Sequence, residues 1–307
     1  MIVLEGLSLK KVSERIYLLD TYALGLAEFV AAYLVVGSEG SALVDIGYAS
    51  SLPRVFEGLR EAGLKPTDIN YVVPTHLHLD HAGGTSQFIK NSKKSIILCH
   101  PRAVKHFLDP SKLNASVREI YGDLVSFFGL VEPIPLENIR SVQEYERIEI
   151  GDTSLRFIYA PGHAPHQIVV YVEEDQALIT GDAVSIDCPS FPLRIPTTPP
   201  PSYNHLEAIE TLMKLSKLKA KIILRPHFGG IAWSPDYFNE EIALLENWKK
   251  NVEEHVKKQS AIDDAVEEIV NQYSQELKNK VATIPFYLYT TIKLSYLGME
   301  KYLREHR

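Results

Sequence analysis

Residues 75–84 read Thr-His-Leu-His-Leu-Asp-His-Ala-Gly-Gly and place three imidazoles, His76, His78 and His81, and one carboxylate, Asp80, within six positions. Histidine accounts for only 11 of the 307 residues, so composition alone does not produce this density. Four neighbouring polar groups would serve a packed core badly, because every buried polar atom needs a partner. Imidazole nitrogens and carboxylate oxygens are donors for first-row divalent cations, and their clustering points to a metal site rather than to a polar loop. With no thiolate in the set, Zn is the first choice, and Fe and Mn are compatible.

Such chemistry needs a frame, and the flanking residues supply one. Residues 71–74, Tyr-Val-Val-Pro, are a short β-prone run that delivers Thr75 and the cluster at its carboxyl end, and a helix is expected to start at 83–88. A strand feeding a loop that then opens a helix is where α/β layouts place chemistry. Upstream, 16–19, 29–36 and 41–45 read as strands, the last two linked by the turn-prone 37–40, and the third ends in Asp45-Ile-Gly47. Val55, Phe56 and Leu59 mark a helix over 52–62 that closes at Gly63.

Residues 96–99 read as another strand. Between 101 and 135, Val117, Ile120, Tyr121, Leu124, Val125 and Phe128 recur at three- and four-residue steps behind Asn114 and Ser116, the expected caps, which predicts a helical insertion beside the site. Strands resume at 147–150, 155–159, 168–172 and 177–180. The stretches 41–45, Ser-Ala-Leu-Val-Asp, and 176–182, Gln-Ala-Leu-Ile-Thr-Gly-Asp, are alike: each is an apolar run ending in an acid beside glycine. Either two similar β-rich halves, with Asp45 and Asp182 at corresponding edges, or a chance likeness of two apolar strands accounts for this.

Residues 189–201 hold six prolines and can be neither helix nor central strand, which makes them a wall or lid over the site or a rigid surface connection. A helix over 203–218 and a strand at 222–224 follow, the latter running into Arg225-Pro-His227-Phe-Gly-Gly230. Ser234-Pro235 then opens a helix carrying Phe238, Ile242, Leu245, Trp248, Val252 and Val256. A second helix carries Val266, Ile269, Val270, Tyr273 and Leu277, and a third covers about 284–303. The organisation expected is a main domain over 1–233 and a helical extension over 234–307.

A net charge of -7 argues against a broad nucleic-acid footprint, which needs a basic face to displace counterions. Cys99 and Cys188 stand far apart and form no thiolate pair, so neither a disulfide framework nor a Cys-based zinc site is expected. Glu5 interrupts what would be the apolar part of a signal peptide, and no apolar run reaches the roughly 18 residues of a membrane span. A soluble cytoplasmic protein with no membrane partner is the expectation.

The passage from Thr75 to His81 resembles the H-x-H-x-D-H motif of metallo-β-lactamase-fold hydrolases, and further motifs follow in that family's order. Asp45 comes after an early strand, His163 in Pro161-Gly-His163, Asp182 in Thr180-Gly-Asp182, and His227 after the last strand. The resemblance spans about residues 15–230. It implies an α+β fold, a four-layer αββα sandwich, with a dinuclear site at one edge of its two sheets. By the same resemblance His76, His78 and His163 would hold one divalent metal ion, Asp80, His81 and His227 the other, and Asp182 would bridge them. A ligating imidazole usually donates its other N–H to an acceptor, and Asp45 is the candidate for one of these. Relatives with Pro-Gly-His-x-Pro-Gly often carry a further histidine, whereas here the run is Pro161-Gly-His-Ala-Pro-His166-Gln167, so no role carries over to His166 or Gln167. His100 stays unassigned, and His106, His255 and His306 are expected to be solvated.

The chemistry implied is hydrolysis by a metal-bridging hydroxide, with Asp80 orienting the nucleophile or relaying its proton. The helical extension resembles the layout of glyoxalase II and of quorum-sensing-related thioesterases, so a small-molecule thioester or ester is the leading substrate class. Phe286, Tyr287, Tyr289 and Tyr296 are expected either to line an acyl pocket or to pack the last helix. The alternatives are a phosphodiesterase or nuclease of the same fold and a metal-bearing, non-catalytic binding or regulatory protein. A flavodiiron oxidoreductase is disfavoured because His78 stands where that family has glutamate. The extension could also form a homodimer surface.

Overall fold

The computed structural model describes residues 9–187, 194–277 and 286–306. Met1 to Ser8 with Glu5, Cys188, the 189–193 part of the proline-rich segment and the side chains of Phe286 and Tyr287 lie outside the described residues. The chain divides into two compact units: the first takes residues up to Tyr159, His166–Gly181 and Lys219–Trp233, and the second takes Ala160–Pro165, Asp182–Leu218 and 234–307.

The first unit is built on two sheets. The strands β1 (Leu9–Lys11), β2 (Ile16–Asp20), β3 (Ala31–Val36), β4 (Ser41–Val44), β5 (Tyr71–Val73), β6 (Ile96–Cys99) and β7 (Ile139–Ser141) lie in chain order, antiparallel from β1 to β4 and parallel from β4 to β7. In the second sheet β8 (Arg147–Glu149), β9 (Ser154–Tyr159), β10 (Ile168–Val172) and β11 (Ala177–Ile179) run antiparallel. There β14 (Ile222–Leu224) pairs parallel with β11 and antiparallel with β15 (Gly230–Ala232). The period of two in the sequence decides what each face buries. Ile16, Leu18, Ala31, Tyr33, Val35, Ala42, Val44 and Val73 join Leu155, Phe157, Ile168, Val170 and Ile179 in one apolar layer. The alternate residues Leu19, Ala32, Leu34, Leu43 and Val72 pack instead with Leu52, Val55 and Leu59 of helix α1 (Leu52–Glu61) and with Phe88. β4 and β11, the strands of the two alike stretches 41–45 and 176–182, each have one antiparallel and one parallel neighbour.

The helix expected from Gly83 starts inside the motif: α2 (Leu79–Ala82) follows an extended His78, and α3 (Thr85–Asn91) follows the glycine pair. Glycine is required at 83, where a Cβ would stand 2.3 Å from the Leu79 carbonyl oxygen and 3.2 Å from Tyr48 Cα. The insertion folds as α4 (Val104–Leu108), α5 (Ser111–Tyr121) and α6 (Val125–Phe128), so Asn114 and Ser116 lie within α5 and cap nothing. Asn114 bonds Val131 instead, donating to its carbonyl at 2.8 Å and accepting from its N–H at 3.2 Å, which ties the following loop to the helix. The strand expected from Phe29 begins at Ala31, and the short strands β1, β7 and β15 had no signal of their own in the sequence.

The second unit contains the two-stranded β12 (Ile186–Asp187) and β13 (Arg194–Ile195) and four helices: α7 (His205–Leu215), α8 (Pro235–Lys258), α9 (Ile262–Leu277) and α10 (Phe286–Glu305). Ser234 caps α8 as expected, its hydroxyl accepting from the Asp236 N–H at 3.2 Å. His255, expected to be solvated, is instead 4 % exposed, with its ring 6.3 Å from that of Tyr296. Helical spacing itself places 255 on the stripe of Trp248 and Val252. His306 is exposed and His106 is half-buried. Tyr296 is buried as a packing residue of α10, and no described helix is long and apolar enough to cross a membrane.

Candidate metal centre

The cluster hangs from Asp45. This residue leaves β4 in the left-handed region, at φ 54°, and is completely buried. Its Oδ1 accepts the Thr75 N–H at 2.8 Å and its Oδ2 accepts the Thr75 hydroxyl at 3.1 Å, so Thr75, two residues past β5, is clamped by the residue after β4. The Ile46 N–H donates to the His81 carbonyl at 2.9 Å and closes the loop from its other end. The Ile168 N–H donates to the Thr75 carbonyl at 2.8 Å, which links the motif to the second sheet of the same unit. Left-handed Gly181 completes the cradle, since a Cβ there would stand 2.9 Å from Thr75 Cβ and Oγ1.

These anchors decide which imidazole nitrogen carries the proton. His81 Nδ1 lies 2.9 Å from Asp45 Oδ2; an ionised carboxylate only accepts, so the proton sits on Nδ1 and the Nε2 lone pair points away. The Thr75 hydroxyl gives its proton to Asp45 and therefore accepts from His76 Nδ1 at 3.1 Å, which leaves the His76 Nε2 lone pair directed outward. That nitrogen is 2.9 Å from His78 Nδ1. Asp80 Oδ2 is 3.6 Å from His81 Nε2 and 3.6 Å from His227 Nε2. The donor atoms of Asp80, His81 and His227 all lie within 4.8 Å of one another, a spacing that one cation can bridge. His81 and His227 are buried, while the Asp80 side chain keeps 21 % of its surface exposed.

His227 arrives on a turn that the sequence reading left unexplained. The Ala31 N–H donates to the Pro226 carbonyl at 2.7 Å, the Tyr33 hydroxyl donates to the Arg225 carbonyl at 2.6 Å, and Arg225 Nη2 donates to the Phe228 carbonyl at 3.1 Å. Burial pushes the Tyr33 phenol far above its usual pKa, so it remains a donor. A tyrosine inside an otherwise aliphatic strand was the one available signal, because a buried hydroxyl must find an acceptor. Tyr121 of the insertion is likewise raised, by burial and then by the charge of Asp80.

In the second unit, Gly162 takes φ 132°, and a Cβ there would lie 2.4 Å from Ala208 Cα, so glycine before His163 is obligatory. His163 Nδ1 donates to the Thr197 carbonyl at 2.9 Å, which turns its Nε2 towards Asp182 Oδ2 at 3.5 Å. Thr197 Oγ1 donates to the Asp182 carbonyl at 2.9 Å. Every donor expected from the sequence is thus placed. Asp80 lies near His81 and His227, His76 near His78, and His163 near Asp182, while Asp45 bonds the ring of His81. His100 caps residues 101–103 by accepting the Arg102 N–H on Nδ1 at 3.0 Å, and the His166 ring lies 6.4 Å from that of His106.

Two sheets joined through an apolar layer, with imidazoles and carboxylates gathered at the ends of parallel strands, define a metal-binding α+β protein. The family model of the metallo-β-lactamase superfamily matches residues 25–227, and the chain belongs to that superfamily. Its four-layer αββα fold, of the α+β class, is the one expected from the sequence, with the C-terminal helices present. The metallo-β-lactamase fold-containing protein ST1585 of Sulfurisphaera tokodaii is 30 % identical over 210 residues, which are 67 % of this chain and 72 % of that protein. The crystal structure of ST1585 superposes with a TM-score of 0.67, covering 94 % of this chain and 98 % of that one. An N-acyl homoserine lactonase of Bacillus thuringiensis is 25 % identical over 230 residues, 64 % of this chain and 80 % of the lactonase.

Proposed function

We propose that this protein is a dinuclear metal-dependent hydrolase acting on a carboxylic ester, lactone or thioester of a small acyl compound. The observation that carries the proposal is the triangle of Asp80, His81 and His227, in which Asp45 fixes His81 with Nε2 facing the other two donors. All three donors are oxygen or imidazole nitrogen, which fits Zn first and Fe or Mn next. His76, His78 and His163, with Asp182 shared, are assigned to the second ion on the order of the family's motifs.

Divalent ions held there would supply Lewis acidity for an acyl oxygen and lower the pKa of water towards neutrality. The chain's own part is orientation and proton handling. Asp45 and Thr75 keep His81 and His76 in the tautomers that present Nε2. The carboxylate of Asp80, alone in its triangle in being partly exposed, accepts the proton of the attacking water. No serine or cysteine nucleophile is needed. An ester or lactone is supported by the lactonase relative, and the acidic balance of -7 disfavours a polyanionic substrate.

Metal analysis with a substrate panel tests this reading. Purified protein should carry close to two first-row metals per chain, and His78→Ala and Asp182→Ala should each lower that content. Less than about half an equivalent in the parent protein, or unchanged occupancy in both variants, would reject the site. Across thioesters, lactones, aryl esters and bis-aryl phosphodiesters, turnover of the acyl compounds is expected. Turnover of phosphodiesters alone would reassign the substrate class, and no turnover with full metal would favour a binding protein.

A further inference from the structure

Residues 194–198 run through the second unit as a buried strap between a metal-ligand candidate and the C-terminal helices. At its centre Thr197 touches both donors of this unit: its carbonyl accepts His163 Nδ1–H at 2.9 Å, and its hydroxyl donates to the Asp182 carbonyl at 2.9 Å. On either side the strap is gripped by helices. Ser295 Oγ of α10 donates to the Pro196 carbonyl at 2.7 Å, Thr198 Oγ1 donates to the Ser295 carbonyl at 2.6 Å, and Trp248 Nε1 of α8 donates to Thr198 Oγ1 at 3.0 Å. Arg194 at the strap's start pairs with Glu241 of α8 at 2.6 Å, and the same carboxylate accepts the Ser185 N–H and hydroxyl. Gly298 lets α10 lie directly on the strap, because a Cβ there would stand 2.0 Å from the Thr198 carbonyl oxygen.

We infer that Thr197 is a positioning residue for the metal centre, and that α8 and α10 set the tautomer and aim of His163 through it. The inference rests on the reading of His163 and Asp182 as ligands. An imidazole bound through one nitrogen is oriented by the acceptor on the other, and moving that acceptor typically costs 10- to 100-fold in metal affinity. The acceptor here is a main-chain carbonyl, so its position depends on the groups that hold residues 196–198. The helical extension is therefore part of the coordination apparatus, in addition to whatever it contributes at the substrate side.

The test uses full-length protein stripped of metal and titrated with Co(II), reading the d–d absorption spectrum and the affinity against a competing chelator. Thr197→Val removes the hydroxyl that holds Asp182, and Ser295→Ala removes the grip on Pro196 while leaving the Ser295 carbonyl for Thr198. Each is expected to weaken cobalt binding about 10-fold or more and to shift the spectrum. Thr197→Ser, which keeps the hydroxyl, is expected to stay within about 2-fold of the parent on the same scale. Near-UV circular dichroism reports whether each variant folds, and Ser295→Ala alone carries the test should Thr197→Val fail to fold. His163→Ala is the reference. Parental affinity and spectrum in Thr197→Val and Ser295→Ala, with weakened binding in His163→Ala, would overturn the role of the strap. Unchanged binding in His163→Ala would overturn the ligand assignment and the strap together.

Discussion

Asp45 accepts three hydrogen bonds with no exposure to solvent, and only one of them reaches an imidazole. Asp45→Asn keeps the shape but turns one oxygen into a donor. With its remaining oxygen held by the Thr75 N–H, the amide faces His81 Nδ1 and drives the proton to Nε2, where a cation should bind. Chelator competition should register this as a loss of about 10- to 100-fold in affinity for the metal proposed at Asp80, His81 and His227. His100 offers a prediction away from the metal. Burial, reinforced by Arg102, lowers its pKa to about 4 from an ordinary 6.5, and its Nδ1 must stay unprotonated to accept the Arg102 N–H. A depressed histidine pKa means that the unfolded chain takes up the proton first as pH falls. The stability His100 contributes is therefore complete above about 6.5 and lost between there and about 4. His100→Asn, which retains an acceptor at the cap, should flatten this acid limb in thermal melts recorded from pH 7 to 4, and an unchanged limb would reject the attribution. The candidate ligands were legible because four of them share one short run. The residues that hold them were not: Thr75 is spoken for by a partner 30 positions away, and Tyr33 by one 192 positions away.

Elements were legible wherever burial follows a period. In β3 the alternation of Ala31, Tyr33 and Val35 with Ala32 and Leu34 assigns successive residues to different apolar layers. Phe157, at the centre of the layer between the sheets, should cost about 3–5 kcal/mol on replacement by alanine, read from urea denaturation with an unchanged m-value. A loss below about 1 kcal/mol would contradict so tight a packing. The three-residue strands β7 and β15 lack the apolar run that marks β5, β11 and β14, and their pairing is decided by neighbours already in the sheet. Asn114 misled for a related reason: its amide has the chemistry of a cap, but the loop at Val131 offered it a better use. The part of the proline-rich segment that the structure describes, expected as a wall or lid or as a rigid surface connection, is buried from Ile195 to Thr198, where the Ser295 hydroxyl of α10 satisfies the Pro196 carbonyl.

At the scale of the whole molecule, stability and metal content should be coupled. A cation that binds only the folded chain adds about 2.7 kcal/mol when free metal stands 100-fold above its dissociation constant. Addition of a strong chelator should therefore lower the thermal midpoint, and added Zn should restore it in a concentration-dependent way. A midpoint indifferent to both would mean that the donors gather for some other purpose. Family and α+β class could be read from five motifs in order, since each is local; substrate could not, since it depends on surfaces assembled from distant parts of the chain. The grip of α10 on the strap gives that distance a temporal meaning. Ser295 bonds Pro196 across 99 positions and Thr198 across 97. A chain still being synthesised thus displays all seven donors long before Gly298 leaves the ribosome, and on the proposed role of the strap it cannot hold His163 to its task until then. Nascent or prematurely ended chains would carry every candidate donor yet leave His163 and Asp182 without the groups that aim them.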